Sequence, residues 1–138
     1  MVKGLRITLS KLSAAVVSVL FLGNVVMAYA VDIKLTGTEE VPAVQTLAHG
    51  QGKITVAADH SVSGSVTTYG IKGTMAHIHI GAMGEAGPVA IPLVKSADNV
   101  WSVPSGAKLT DAQYKSYTAG NLYVNVHSAA HKDGEIRG

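Results

Sequence analysis

The chain has 138 residues, 47% hydrophobic and 14% charged, with no cysteine, one tryptophan and a formal net charge of +2. That length is one ordinary domain, and the lack of cysteine excludes a disulfide framework and thiolate metal ligands. Three of the 11 Lys and Arg precede residue 31 while all nine Asp and Glu follow it, so the remainder carries 8 − 9 = −1, which excludes a strongly basic nucleic-acid surface.

Lys3, Arg6 and Lys11 precede an apolar run from Leu12 to Val26 that closes on Ala28-Tyr29-Ala30. A basic start, an apolar stretch and a small-residue end read as a secretory signal peptide over 1–30. The run is shorter than the roughly 20 apolar residues of a spanning helix and is broken by Gly23 and Asn24. Cleavage after Ala30 is expected to leave 31–138 as a periplasmic or secreted domain without membrane attachment.

Short alternating runs follow, separated by Gly, Asp, Ser and Pro, the pattern of antiparallel strands and turns. Ile33 and Leu35 alternate with Asp32 and Lys34. Ile54, Val56 and Ala58 alternate with Lys53, Thr55 and Ala57, and Val62, Gly64 and Val66 resume the period after an Asp59-His60 turn. Met75 to Ile80 is a further strand, and Val89 to Val94 another, which Pro92 marks as an edge or bulge. Thr110-Asp111-Ala112-Gln113 is a capping-box sequence, with Tyr114 and Tyr117 on one face before Gly120, so a short helix is expected near 111–119. Leu122 to His127 alternates, and Gly134 to Gly138 closes the chain as a last strand. Seven or eight strands with one helical crossover predict an all-β Greek-key sandwich, with a small β-barrel as the alternative.

The chemically loaded residues are histidines. His77 and His79 lie two apart on a strand, so both rings leave the face opposite Ala76, Ile78 and Ile80. In Leu122 to His127 the apolar set is Leu122, Val124 and Val126, which puts Tyr123, Asn125 and His127 on the polar face. If the two strands are neighbours, three imidazoles converge as nitrogen ligands of the kind copper or zinc takes, with nitrogens about 3 to 4 Å apart. Met75, on the face of His77, is a candidate thioether ligand that would favour Cu(I), with Met83 in the following loop a weaker one. His131 is a further candidate from a loop, with Asp133 and Glu135 as oxygen alternatives. His49 and His60 fall in turns and carry no assigned role.

Other constellations point elsewhere. Ser61, Ser63 and Ser65 lack a nucleophile-elbow context. Glu39 and Glu40 are adjacent and face opposite ways, which suits a loop beside Pro42 rather than acid/base work. Gly81, Gly84 and Gly87 form a turn, since no helix follows on which a phosphate could sit. Arg137 is expected in an ion pair with Glu135 or a loop contact, or as a cation that guides anions.

Several ordered motifs carry a resemblance over essentially the whole of 31–138. Leu35-Thr36-Gly37 with Glu40-Val41-Pro42, Ala76-His77-Ile78-His79 with Gly87-Pro88-Val89, Leu109-Thr110-Asp111-Ala112-Gln113, Gly120 to His127 and Gly134 to Gly138 resemble the CHRD (chordin) domain family. The resemblance implies an all-β, immunoglobulin-like sandwich and places His77, His79 and His127 on the family's His-x-His and Asn-x-His motifs. The His-Ile-His strand also looks like the copper strand of copper,zinc superoxide dismutases, although no zinc loop accompanies it. The leading expectation is an exported metal-binding domain, for copper with zinc as alternative, in binding or delivery, with His77, His79, His127, His131 and Met75 as candidate ligands. The rivals are a metal-free module that binds another exported protein through a sandwich face or the loop from Glu39 to Gln45, and a dismutase-like copper enzyme.

Overall fold

The computed structural model describes residues 27–138. The expected signal peptide lies mainly outside them. Strand β1 (Ala28–Thr36) runs antiparallel to β2 (His49–Ala57), with Ala28, Tyr29 and Ala30 opposite Ala57, Val56 and Thr55. A cut after Ala30 therefore falls inside β1, in its exposed first third.

β2 turns into β3 (Val62–Tyr69) through Asp59 and His60. His60 takes the left-handed conformation at φ 68°, and the Asp59 carboxylate accepts from the Ser61 amide at 3.0 Å, the side-chain-to-backbone bond that makes Asp a turn former. Next come β4 (Gly73–Ile80), β5 (Val89–Pro92), β6 (Val94–Ala97), β7 (Val100–Ser102), helix α1 (Asp111–Thr118), β8 (Leu122–Ser128) and β9 (Ile136–Arg137).

Among the described residues all nine strands belong to one antiparallel sheet, in the order β5-β4-β8-β9-β1-β2-β3-β7-β6. Its two edge strands are consecutive in sequence. Pro92 has no N–H to continue the ladder and ends β5; Leu93 then donates to the Ala76 carbonyl at 2.9 Å and leads straight into β6. The sheet thus curls into a nearly closed barrel, so the all-β expectation holds in its barrel form. β8 and β9 bridge β4 to β1, which joins what a sandwich would keep as two separately bonded sheets.

The inward face of the wall is the core: Leu35, Ile54, Val56, Val66, Ala76, Ile78, Trp101, Val124, Val126 and Ile136 are all buried in one cluster. Leu35, Val66, Val126 and Ile136 have no exposed surface. Helix α1 lies against this cluster through half-buried Tyr114 and Tyr117. Both bonds of its capping box form, Gln113 N–H to Thr110 Oγ1 at 3.2 Å and Thr110 N–H to Gln113 Oε1 at 2.9 Å. Thr110→Ala strands the Gln113 donor and is expected to cost about 1 kcal/mol, read as a lower urea midpoint at unchanged slope.

Candidate metal centre

The β4–β8 ladder sets Met75 opposite His127, His77 opposite Asn125 and His79 opposite Tyr123, and the β8–β9 ladder sets Asn125 opposite Arg137. Directly opposed residues share a face, so these side chains all leave the barrel wall on the side away from the core. This outward face was expected to be solvated. Instead Tyr123, Asn125, His127, His79 and Arg137 are buried, because the segments 37–46, 81–88 and 129–135 fold over it.

His77, His79 and His127 each present a ring nitrogen, and these three lie within 4.8 Å of one another. The separations are fixed by backbone anchors. His79 Nδ1 is 2.9 Å from the Gly87 carbonyl and His127 Nδ1 is 2.7 Å from the Lys132 carbonyl. A carbonyl only accepts, so both Nδ1 atoms carry the hydrogen, and Nε2 of each neutral ring holds a lone pair. The remaining contact, His77 Nδ1 to His127 Nε2 at 3.0 Å, is then donated by His77. His79 Nε2 is buried with no partner.

That donor set fits a metal ion. Two imidazoles have the outer ring nitrogen bonded to a carbonyl, which holds the ring in the ligating tautomer, and the third, His77, offers Nδ1 once its hydrogen moves to Nε2, a change of tautomer with no net loss of a proton. Bonds near 2.0 to 2.1 Å need ligand nitrogens about 3.3 to 4.2 Å apart. The 3.0 Å pair must open slightly and the widest pair, at most 4.8 Å, must close by up to about twice as much.

Burial pushes His77 below the ordinary 6.5, with His127 and His79 as like-charged neighbours acting in the same direction. Burial also lowers His79, against the opposing bond to Gly87. Neutral rings are what metal binding requires. For stability the sign follows from proton uptake: below about pH 6.5 the unfolded chain protonates these rings more readily than the folded one. The metal-free protein is therefore expected to melt at lower temperature as pH falls from 7 to 5, measured with a chelator present; a flat profile would contradict the burial argument.

Around the rings lies a buried polar layer. Arg137, 5% exposed, sits with its guanidinium carbon 3.4 Å from the Tyr123 ring centre and donates to the Ala82 carbonyl at 3.2 Å. The other aromatic contact of Tyr123 is His79, stacked at 4.9 Å and 4°. Glu135 accepts from Thr46 at 2.8 Å. The buried Glu40 has one carboxylate oxygen without a partner, and burial raises its pKa above the ordinary 4.5 despite the nearby Arg137 charge. Among the described residues none of these carboxylates forms an ion pair with Arg137.

The structure thus brings together His77, His79 and His127. Met75 is 49% exposed and stands at the solvent rim across from His127. His131 is apart from the three rings: it lines a cleft with Glu40, Val41 and Pro42. Asp133 contributes its backbone carbonyl to Asn125 rather than a carboxylate to the cluster. Met83 is 92% exposed on the covering loop. Of the two structural contacts expected for Arg137 the loop contact forms, while its burial leaves no cation pointed at solvent to guide anions. Glu39 and Glu40 do face opposite ways, Glu39 outward and Glu40 into the buried layer.

The model of the CHRD domain family matches residues 31–138, so the chain belongs to that family. None of the curated proteins and none of the solved structures compared with it matches. Among the described residues no helix is long and apolar enough to cross a membrane.

Proposed function

We propose that this member of the CHRD domain family is an exported metal-binding protein in which His77, His79 and His127 take up copper for binding or delivery, with zinc as the competing ion. One observation carries the reading: three imidazole nitrogens from neighbouring strands meet within 4.8 Å, two of them with their tautomer set by backbone carbonyls and one left buried without a partner. A buried nitrogen lone pair with nothing to accept from is costly in a folded protein; a bound ion removes that cost. Copper is favoured over zinc by the general order of affinity of divalent ions for nitrogen ligands and by Met75, a half-exposed thioether across the ladder from His127.

The proposed set leaves out His131, which faces Glu40 across the loop. Export rests on the basic and apolar leader, and the site then meets copper in an oxidising compartment where a cysteine-free ligand set is not lost to disulfide formation. Delivery or storage suits the site better than turnover, since Arg137 is committed to Tyr123 and Ala82. The loop from Glu39 to Gln45 is pinned through buried Glu40, which weakens it as the free surface of a metal-free module. The test is a titration of the cleaved, chelator-stripped protein with Cu(II) and Zn(II), followed by competition between them. Saturation at one equivalent with copper outcompeting zinc supports the reading; no saturable binding of either ion overturns it.

A further inference from the structure

Asn125 had no role in the sequence beyond its facing, yet it occupies the middle of the buried layer. It is 3% exposed, opposite His77 in one ladder and Arg137 in the other. Its Nδ2 donates to the Asp133 carbonyl at 3.4 Å. A side chain on Gly134, which takes φ 131°, would collide with both that Nδ2 and Glu40 Oε1, so these two atoms lie side by side. The carbonyl and the carboxylate are acceptors, which fixes the nitrogen of the carboxamide on their side. Oδ1 therefore turns away from them. It is buried and has no partner.

Across the β4–β8 ladder Asn125 is also the same-face diagonal neighbour of His79. His79 spends its one ring hydrogen on the Gly87 carbonyl, so its other ring nitrogen, Nε2, is a lone pair. Two buried acceptors on this face, His79 Nε2 and Asn125 Oδ1, thus have no donor of their own. Unpartnered buried lone pairs are costly, and a cation bound among them removes that cost.

Resting on the histidine reading above, we infer that Asn125 Oδ1 is a fourth ligand, giving the site three imidazole nitrogens and one amide oxygen. The oxygen changes which ion the site holds. A hard carbonyl-type donor adds to the binding of Cu(II) or Zn(II) and adds little for Cu(I), a soft ion that three nitrogens already satisfy. The site then favours Cu(II) relative to Cu(I) by more than the three imidazoles alone would.

The experiment uses the chain from residue 31 and its Asn125→Ala and Asn125→Asp variants, each titrated with Cu(II), and with Cu(I) under reductant, in competition with chelators of known affinity. Asn125→Ala is expected to lose about 10- to 100-fold in Cu(II) affinity, the range seen when a supporting metal-site group is removed, with Cu(I) affinity changed less than about 3-fold. Asn125→Asp keeps an oxygen in place and is expected to restore Cu(II) binding; it carries the test if the alanine variant does not fold. A changed Cu(II) electron paramagnetic resonance spectrum in Asn125→Ala accompanies the loss. Equal losses for both oxidation states, or an unchanged spectrum and affinity, would overturn the assignment while leaving the histidine site intact. Failure of the unsubstituted protein to bind either ion overturns both.

Discussion

His79→Ala is expected to lower Cu(II) affinity by more than the roughly 10- to 100-fold that follows loss of an outer partner, because it removes a ligand rather than a support. Among the three rings His79 is the one for which every geometric feature serves ligation. Its Nδ1 is fixed on Gly87, its plane is stacked on Tyr123, and its Nε2 has no other use in the fold. His77→Ala is expected to cost less, since His77 is the most exposed ring of the three and must first give up its bond to His127. His127→Ala should fall close to His79→Ala, for its Nδ1 is likewise anchored, on Lys132. Competition titrations with a chelator of known affinity rank the three variants. Wild-type affinity in His79→Ala would remove the cluster from consideration as the metal site.

That ranking depends on features the sequence exposes unequally. The alternation of Met75 to Ile80 and of Leu122 to His127 gives the facing of each histidine directly, because side-chain period in a strand is two regardless of context. The helix at Asp111–Thr118 is equally legible, since a capping box is a local hydrogen-bond pattern between residues three apart. The adjacency of β4 and β8 is not local. His77 and His127 are 50 positions apart, and the hairpins, the helix and the β5–β6 crossing between them could be routed in several ways with the same alternation. The closure of the sheet at Leu93 is hidden for the same reason: Pro92 announces a break in the ladder but not that the chain crosses from one edge to the other.

Burial of the outward face is the larger omission. Tyr123, Asn125 and His127 alternate with core residues and so look solvated, yet the covering segments carry few apolar residues and give no periodic signal. Glu40 is the sharpest case. Nothing in Glu39-Glu40 marks which carboxylate is exposed; the turn at Gly37–Glu39, with Glu40 N–H bonded to the Gly37 carbonyl at 3.2 Å, decides it. Arg137 reads as a surface charge near Glu135 and is instead stacked on Tyr123, where an aromatic face and a carbonyl replace the carboxylate as its partners. The three acceptors left unpartnered in this layer, on Glu40, His79 and Asn125, all belong to positions that composition cannot single out. They are also where local rules fail, as is expected of functional rather than structural positions.

Gly87→Ala is expected to damage fold and site together, because Gly87 is the residue through which the covering loop grips His79. Its carbonyl accepts from His79 Nδ1 at 2.9 Å, and its N–H donates to the Tyr123 hydroxyl at 3.1 Å. A β-carbon there would collide with the backbone carbonyl of Ile80, whose own N–H is bonded to the Pro88 carbonyl at 2.9 Å. Backbone cannot swing aside as a long side chain does, so the loop itself must lift. Overpacking of this kind costs about 1 to 3 kcal/mol, read as a lower melting temperature. Lifting the loop also frees His79 to rotate and to change tautomer, which is expected to weaken Cu(II) binding by about 10-fold or more. Gly84→Ala supplies the comparison. Gly84 has φ 78° and nothing within 4 Å of an added β-carbon, so it meets the left-handed penalty of about 1 to 2 kcal/mol without touching His79. Both variants should be less stable, and only the first should lose metal affinity. Equal affinity in the two would mean that the Gly87 carbonyl does not orient the ring.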